Sequence, residues 1–388
     1  NSFKKLYSSI EKRKTLLGVG PMSLNCVNAA TNIANKYNVP LILISSRRQI
    51  DDQHFGGGYV NNWNTEQYVK YIKKRDKKKN IFLARDHGGP WQNNKEIEKK
   101  LSVKKAINSA KLSFKSDIDN HFKIIHIDTC IDIHQKINFK NSFNRLCELY
   151  QYCFEYAKKK NKEIIFEIGT EEQSGSTNTP IELEETLNSF YKFCDKNNFE
   201  RPKFVVIQSG TKVVEMKNIG SFESPLRIEN ELPVEIQLPK MLEICNKYQI
   251  YMKEHNADYL AKDSLEWHPK LGIHSANVAP EFGVVESKSL IKILKEYKLN
   301  LFLNEFLELS YNSLKWEKWM LPNTLASDLD KSIISGHYIF SNPKFVELKK
   351  NIEKILMKKN INLNKYLEKE ISSAILRYLK PFKMIKSK

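Results

Sequence analysis

Short apolar runs alternate along the chain with longer stretches in which apolar residues recur at helical spacing. Runs rich in Ile, Val, Leu or Phe occupy residues 16–20, 41–45, 81–84, 123–128, 164–168, 204–208, 250–254 and 271–274. Each is too short for a core helix and fits a buried strand. Between most of them the spacing predicts amphipathic helices, as over 142–160 and 181–197. Strands alternating with helices predict parallel pairing through right-handed crossovers. Eight such units predict an α/β fold, a (β/α)8 TIM barrel over residues 1–290 that carries the active site. A doubly wound open sheet is the main rival, but no Gly-rich dinucleotide fingerprint follows any strand. Beyond residue 290 the strand signal fades. Residues 343–359 and 363–378 read as helices, so 291–388 are expected to form a helical C-terminal extension.

Composition narrows the class. The 388 residues are 41% hydrophobic and 28% charged, which excludes a disordered chain. No apolar run is long enough to span a bilayer, and the opening NSFKKLYSSIEKRKTLL lacks the apolar stretch of a secretory signal. The expectation is a cytoplasmic protein with no membrane partner. Six cysteines without a C-x-x-C pair read as reduced, mostly buried thiols. A net charge of +18 could signal nucleic acid, but the basic residues lie in Lys- and Asn-rich stretches such as 74–80 and 158–162. With no RRM-type or zinc-finger signature, these read as solvated helix faces, and no specific nucleic-acid partner is expected. The positive field would still draw an anionic substrate such as a sugar phosphate.

The chemistry concentrates where strands end, which in a (β/α)8 barrel is the active-site face. The second strand runs into Arg47, Arg48, Gln49 and then HFGGGY, whose Gly56, Gly57 and Gly58 suit a tight or closely approached loop. The third ends in ARDHGGPW, the fourth in HIDTC, the fifth in EIGTEEQSG and the sixth in IQSGTK. The seventh ends in KEHNAD and the eighth in GIHSANVAPEFG. His87, His255 and Glu171 offer imidazole and carboxylate ligands for Zn²⁺ or a similar divalent ion with one position open. Asp86, beside them, would be free to move a proton. Asp128 could instead cap the following helix, and His274 reads as a hydrogen-bonded structural residue. His54, His121, His126, His134, His268 and His337 receive no metal role. No G-x-S-x-G elbow, Walker loop or H-E-x-x-H motif is present, which removes serine hydrolases, P-loop enzymes and zincins.

In their order these motifs resemble the family of the class II tagatose-bisphosphate aldolase "non-catalytic" subunit, a relative of metal-dependent fructose- and tagatose-bisphosphate aldolases. The likeness runs through SSRRQIDDQHFGGGY, ARDHGGPWQ, KIIHIDTC, FEIGTEE, VVIQSG, EHNADY and LGIHSANVAP to GHYIF and ILRYLKPF. It implies a divalent-metal site, zinc first, and a ketose-phosphate pocket. Asp86 takes the acid/base position and His87 and His255 the metal positions, with Gln208 a further metal ligand where catalytic class II aldolases offer a third histidine. Glu171 would complete the metal shell or act as a second acid/base. Arg48, Gln49, Gly57, Asp128, Gly210, Ser275 and Asn277 are the substrate contacts so implied. Ser209-Gly210 in place of Pro-Gly, His274, and the basic Arg47-Arg48 pair depart from the family pattern and leave the exact sugar open. The implied reaction is retro-aldol or aldol chemistry at C3–C4, ending in cleavage or 4-epimerisation. The alternative is an inert barrel that stabilises a separate catalytic aldolase subunit, and a homo-oligomer is compatible with either. A nucleic-acid-binding protein is the weakest reading.

Overall fold

The computed structural model describes residues 3–169, 179–208, 211–220 and 234–386. Ten strands occur among them: β1 (Leu16–Val19), β2 (Leu41–Ser46), β3 (Ile81–Gly88), β4 (Ile124–Asp128), β5 (Ile165–Gly169), β6 (Phe204–Ile207), β7 (Lys212–Val214), β8 (Lys217–Ile219), β9 (Tyr251–Glu254) and β10 (Ser275–Val278). Eight close into a parallel barrel in the order β1-β10-β9-β6-β5-β4-β3-β2, while β7 and β8 form a separate antiparallel hairpin after β6. With alternating helices outside, this is a (β/α)8 TIM barrel. The strands are short and apolar because both faces are covered, by the barrel interior on one side and helices on the other. All four residues of β1, β6 and β10 are buried.

The last strand corrects the sequence reading. Residues 271–274 are not its eighth strand: Leu271 ends the helix Lys262–Leu271, and Gly272 follows in the left-handed region with φ 88°. That is a C-terminal cap conformation glycine adopts without penalty. The strand proper begins four residues later than predicted 271, at Ser275, and its Ser-Ala-Asn-Val sequence carries no strong apolar signal.

The abundance of asparagine has a local use. Asn64, Asn93, Asn138, Asn342 and Asn362 each accept a backbone N–H at a helix start, which satisfies donors that the first turn leaves open. The helix Lys4–Glu11 closes the N-terminal end of the barrel, with Phe3 against Phe82 and Tyr7 against Tyr251 at the starts of β3 and β9. Inside the barrel the Lys253 ammonium pairs with the Glu167 carboxylate, both fully out of water. Beyond β10 every described element is helical. The helix Leu363–Leu379 returns to the barrel, where Arg377 donates to the Leu260 carbonyl (2.6 Å) and to Glu281 (2.6 Å). The hairpin reaches the same extension through the Glu215 N–H to the Trp319 carbonyl (2.7 Å). Five of the six cysteines are buried, and none forms a disulfide. No helix among the described residues is long and apolar enough to cross a membrane.

Candidate active site

The third strand does more than its apolar start suggests. In a regular strand consecutive side chains face opposite ways, yet Asp86 and His87 reach the same cluster. The β3–β4 ladder is irregular between Arg85 and Gly88, and His87 lies in the left-handed region at φ 46°. A non-glycine residue held there is strained and persists only where its surroundings over-determine it. The distortion brings the Asp86 carboxylate to 3.8 Å from His87 Nε2.

Asp128, at the end of β4, holds the other side of the His87 ring at 2.6 Å from Nδ1. It also accepts from the Gln92 amide (3.0 Å) and the Cys130 N–H (3.0 Å). Burial pushes the Asp128 carboxyl up, but these bonds and the nearby imidazoles outweigh it and hold the group at about 2. Asp128 is therefore an acceptor at working pH, His87 Nδ1 donates to it, and His87 Nε2 is left with its lone pair in the neutral ring. That lone pair faces His255 Nε2 at 2.7 Å. His255 follows β9, and its N–H donates to the Ile207 carbonyl (3.1 Å). Its Nδ1 lies 3.2 Å from the Gln208 side-chain oxygen. For Asp86, too, burial is outweighed by the imidazoles of His87, His126 and His255, which hold it well below the usual carboxylate range.

The structure thus gathers Asp86, His87, Asp128, Gln208 and His255. Asn277 lies on β10 opposite Gly18 of β1, and neither end of its buried amide has a partner among the described residues. A Cβ at Gly18 would meet the Asn277 side-chain oxygen at 2.3 Å, so this glycine makes the room the amide occupies. Arg48 is partly exposed and donates to Asn94 (2.9 Å). Burial lowers its guanidinium, and the nearby Tyr338, Tyr59 and Asp128 only partly offset this. Other candidates are occupied in the framework. The Gln49 oxygen accepts the Ser46 N–H, Gly57 makes a turn at φ 73°, and the Ser275 hydroxyl donates to the Leu16 carbonyl. Glu171 and Gly210 lie outside the described residues. Gln208, expected as a metal ligand, has its amide in contact with His255, Asn256 and Thr211. His274 accepts the Met252 N–H (3.0 Å), and burial lowers it to about 4.

One participant escaped the sequence reading. His126 is fully buried beneath the pair, with Nδ1 3.3 Å from the His87 N–H and 3.5 Å from Asp86. Alternation along β4 puts His126 on the face of Asp128, two residues away, which was the available signal. Its Nε2 has no partner among the described residues and lies against Gly169, where a Cβ would come within 2.4 Å.

Two imidazole nitrogens and a carboxylate facing one another suit an imidazole-preferring divalent cation. Among the described residues, however, no three His, Cys, Asp or Glu side chains gather into a full shell. The described residues contribute two facing imidazole nitrogens.

No family model matches the chain, and no curated protein matches it. Solved structures do. A protein described as a probable tagatose 6 phosphate kinase from Sinorhizobium meliloti 1021 aligns with TM-score 0.72 at 16% identity, over 96% of this chain and 100% of its own. The fructuronate-tagaturonate epimerase UxaE from Cohnella laeviribosi aligns with TM-score 0.62 at 10% identity, over 95% and 81%. A fructose-bisphosphate aldolase from Campylobacter jejuni gives 0.54 at 11% identity, over 98% and 93%. The chain has the fold of these proteins. Identities this low establish nothing finer.

Proposed function

We propose that this chain is a divalent-metal-dependent enzyme that acts on a ketose or ketose phosphate by retro-aldol and aldol chemistry at C3–C4. The observation that carries the reading is the His87–His255 pair, with the two Nε2 atoms 2.7 Å apart and Asp86 alongside. Two lone pairs that close repel, so the free pair shares a proton; a divalent ion with bonds of about 2 Å would replace that proton once the rings part to about 3.3 Å. The named substrates of the aldolase and epimerase neighbours, and the barrel they share with this chain, support the sugar assignment.

His87 and His255 would hold the ion, with Glu171 the expected third ligand. A bound Zn²⁺ or similar ion supplies the Lewis acid that polarises the ketose carbonyl and stabilises the charge left when C3–C4 breaks. Asp86 is ionised at any working pH and accepts the C4 hydroxyl proton as that bond breaks. The C4 carbon leaves as an aldehyde, and the bonding electrons pass to C3. Protonation of C3 from solvent, with Asp86 releasing the C4 hydroxyl proton back to solvent, completes an aldolase cycle. Re-addition to the other face of the aldehyde, with Asp86 returning its proton, gives the C4 epimer. Arg48 and the positive surface would receive a phosphate, and the Asn277 amide can meet a substrate hydroxyl or carbonyl.

The test is to incubate the metal-loaded chain with fructose and tagatose mono- and bisphosphates and follow the carbons by NMR. Triose or C4-epimer signals that vanish on chelation are expected. A loaded protein inert towards every ketose would favour the stabilising-subunit alternative.

A further inference from the structure

Gln208 occupies the strand end where the likeness to catalytic aldolases places a third histidine, but its geometry points to another task. The side chain is 1% exposed. Its NH2 donates to the Thr211 carbonyl, which can only accept, and this contact fixes which end of the amide is nitrogen. The oxygen therefore points to His255 Nδ1 (3.2 Å), and it also accepts from the Asn256 amide (2.7 Å). A carbonyl oxygen cannot donate, so the hydrogen between them belongs to His255 Nδ1. A neutral ring so protonated carries its lone pair on Nε2, towards His87. The support extends outwards. Thr211 leads into β7, and Asn218 of β8 donates to the carbonyls of Asn256 (3.0 Å) and Asp258 (2.9 Å).

We propose that Gln208 is a positioning residue that fixes the tautomer of His255 and is not itself a metal ligand. Together with Asp128 on His87, it leaves the Nε2 atom of each ring as the one that can face a cation. This rests on the two-imidazole reading above, and it assigns the hairpin β7–β8 to the support of the site. Groups that orient a ligating histidine through its second nitrogen commonly change metal affinity tenfold to a hundredfold when removed.

Nitrogen NMR of histidine side chains in the metal-free full chain, joined to calorimetric titration with zinc ion alone, tests it. The wild type should show His255 protonated at Nδ1. Gln208→Leu should lose that preference and bind zinc ten- to a hundredfold more weakly, while Gln208→Glu, which keeps an acceptor, should restore both. A His255 without a proton on Nδ1 in the wild type would overturn the proposal without any variant. So would a Gln208→Leu protein with unchanged tautomer, whether its zinc affinity is intact or has fallen as far as that of His255→Ala, the latter marking a ligand. A wild type that binds no zinc would refute the two-imidazole reading, and the tautomer shift would still decide the role of Gln208.

Discussion

The ion pair inside the barrel gives a quantitative test of the framework under the site. Lys253 and Glu167 are 0% and 2% exposed, and the ammonium also lies 5.3 Å from the Phe204 ring. Lys253, on β9 two residues before His255, sits in register with Val206 and Ser275. Replacing it with methionine keeps the volume and removes the charge, which leaves the Glu167 carboxylate buried without its partner. Breaking a buried pair from one side costs about 3–5 kcal/mol, whereas replacing both partners by apolar groups is often neutral. At about 2 cal/mol/K per residue, a chain of this length has an unfolding entropy near 0.8 kcal/mol/K. Lys253→Met should therefore lower the thermal midpoint by about 4–6 °C. Lys253→Met combined with Glu167→Leu should recover most of that loss. Calorimetry on the single variants and the double variant makes the comparison. A double variant as unstable as the two singles summed would refute the argument, because the charges would then not be coupled through burial.

Other expectations are more local. Asp128→Asn should weaken zinc binding about ten- to a hundredfold, because an amide can present a donor to His87 Nδ1 and release the tautomer. Calorimetric titration measures this. Asp86→Asn should keep the metal and lower turnover of a responsive ketose by about 10²–10⁴, the span of a positioned proton acceptor. Asp258 predicts a pH effect on stability. It accepts the Ala279 and Glu281 N–H groups at the start of the helix Pro280–Glu296, yet burial and the Glu281 charge push it up to about 7. The folded state then holds this proton more tightly than the unfolded chain. The stabilisation is complete below about pH 4 and fades as the pH rises to about 7. Asp258→Asn keeps an acceptor for both N–H groups. It should flatten the urea midpoint between pH 4 and 7 and raise stability at pH 8 by up to about 4 kcal/mol.

The barrel was legible because its strands are apolar runs that periodicity detects, and the strand ends were legible because polar clusters follow those runs in order. What escaped depended on backbone geometry or on three-dimensional pairing. The predicted third strand stopped at 84, whereas β3 continues through the polar Arg85, Asp86 and His87, since an irregular ladder and a left-handed φ have no hydropathy signal. The helix predicted from 142 starts at Phe139, where Asn138 caps it. Arg47 read as part of a basic loop, but it is fully buried, paired with Asp51 (3.0 Å) and Glu96 (2.6 Å), and holds the segments around the mouth together. Spacing alone cannot show that a positive side chain will find two carboxylates in the core. Gln208 illustrates the same limit. Its position at a strand end was readable, but the nitrogen it faces was not.

The most direct measurement is zinc affinity in the wild type and in His87→Ala and His255→Ala, each checked for native circular dichroism. One tight site in the wild type, lost in both variants with the fold intact, is the predicted result. Zinc bound equally well by either folded variant would contradict the account, because the facing imidazoles would then not be what holds the ion.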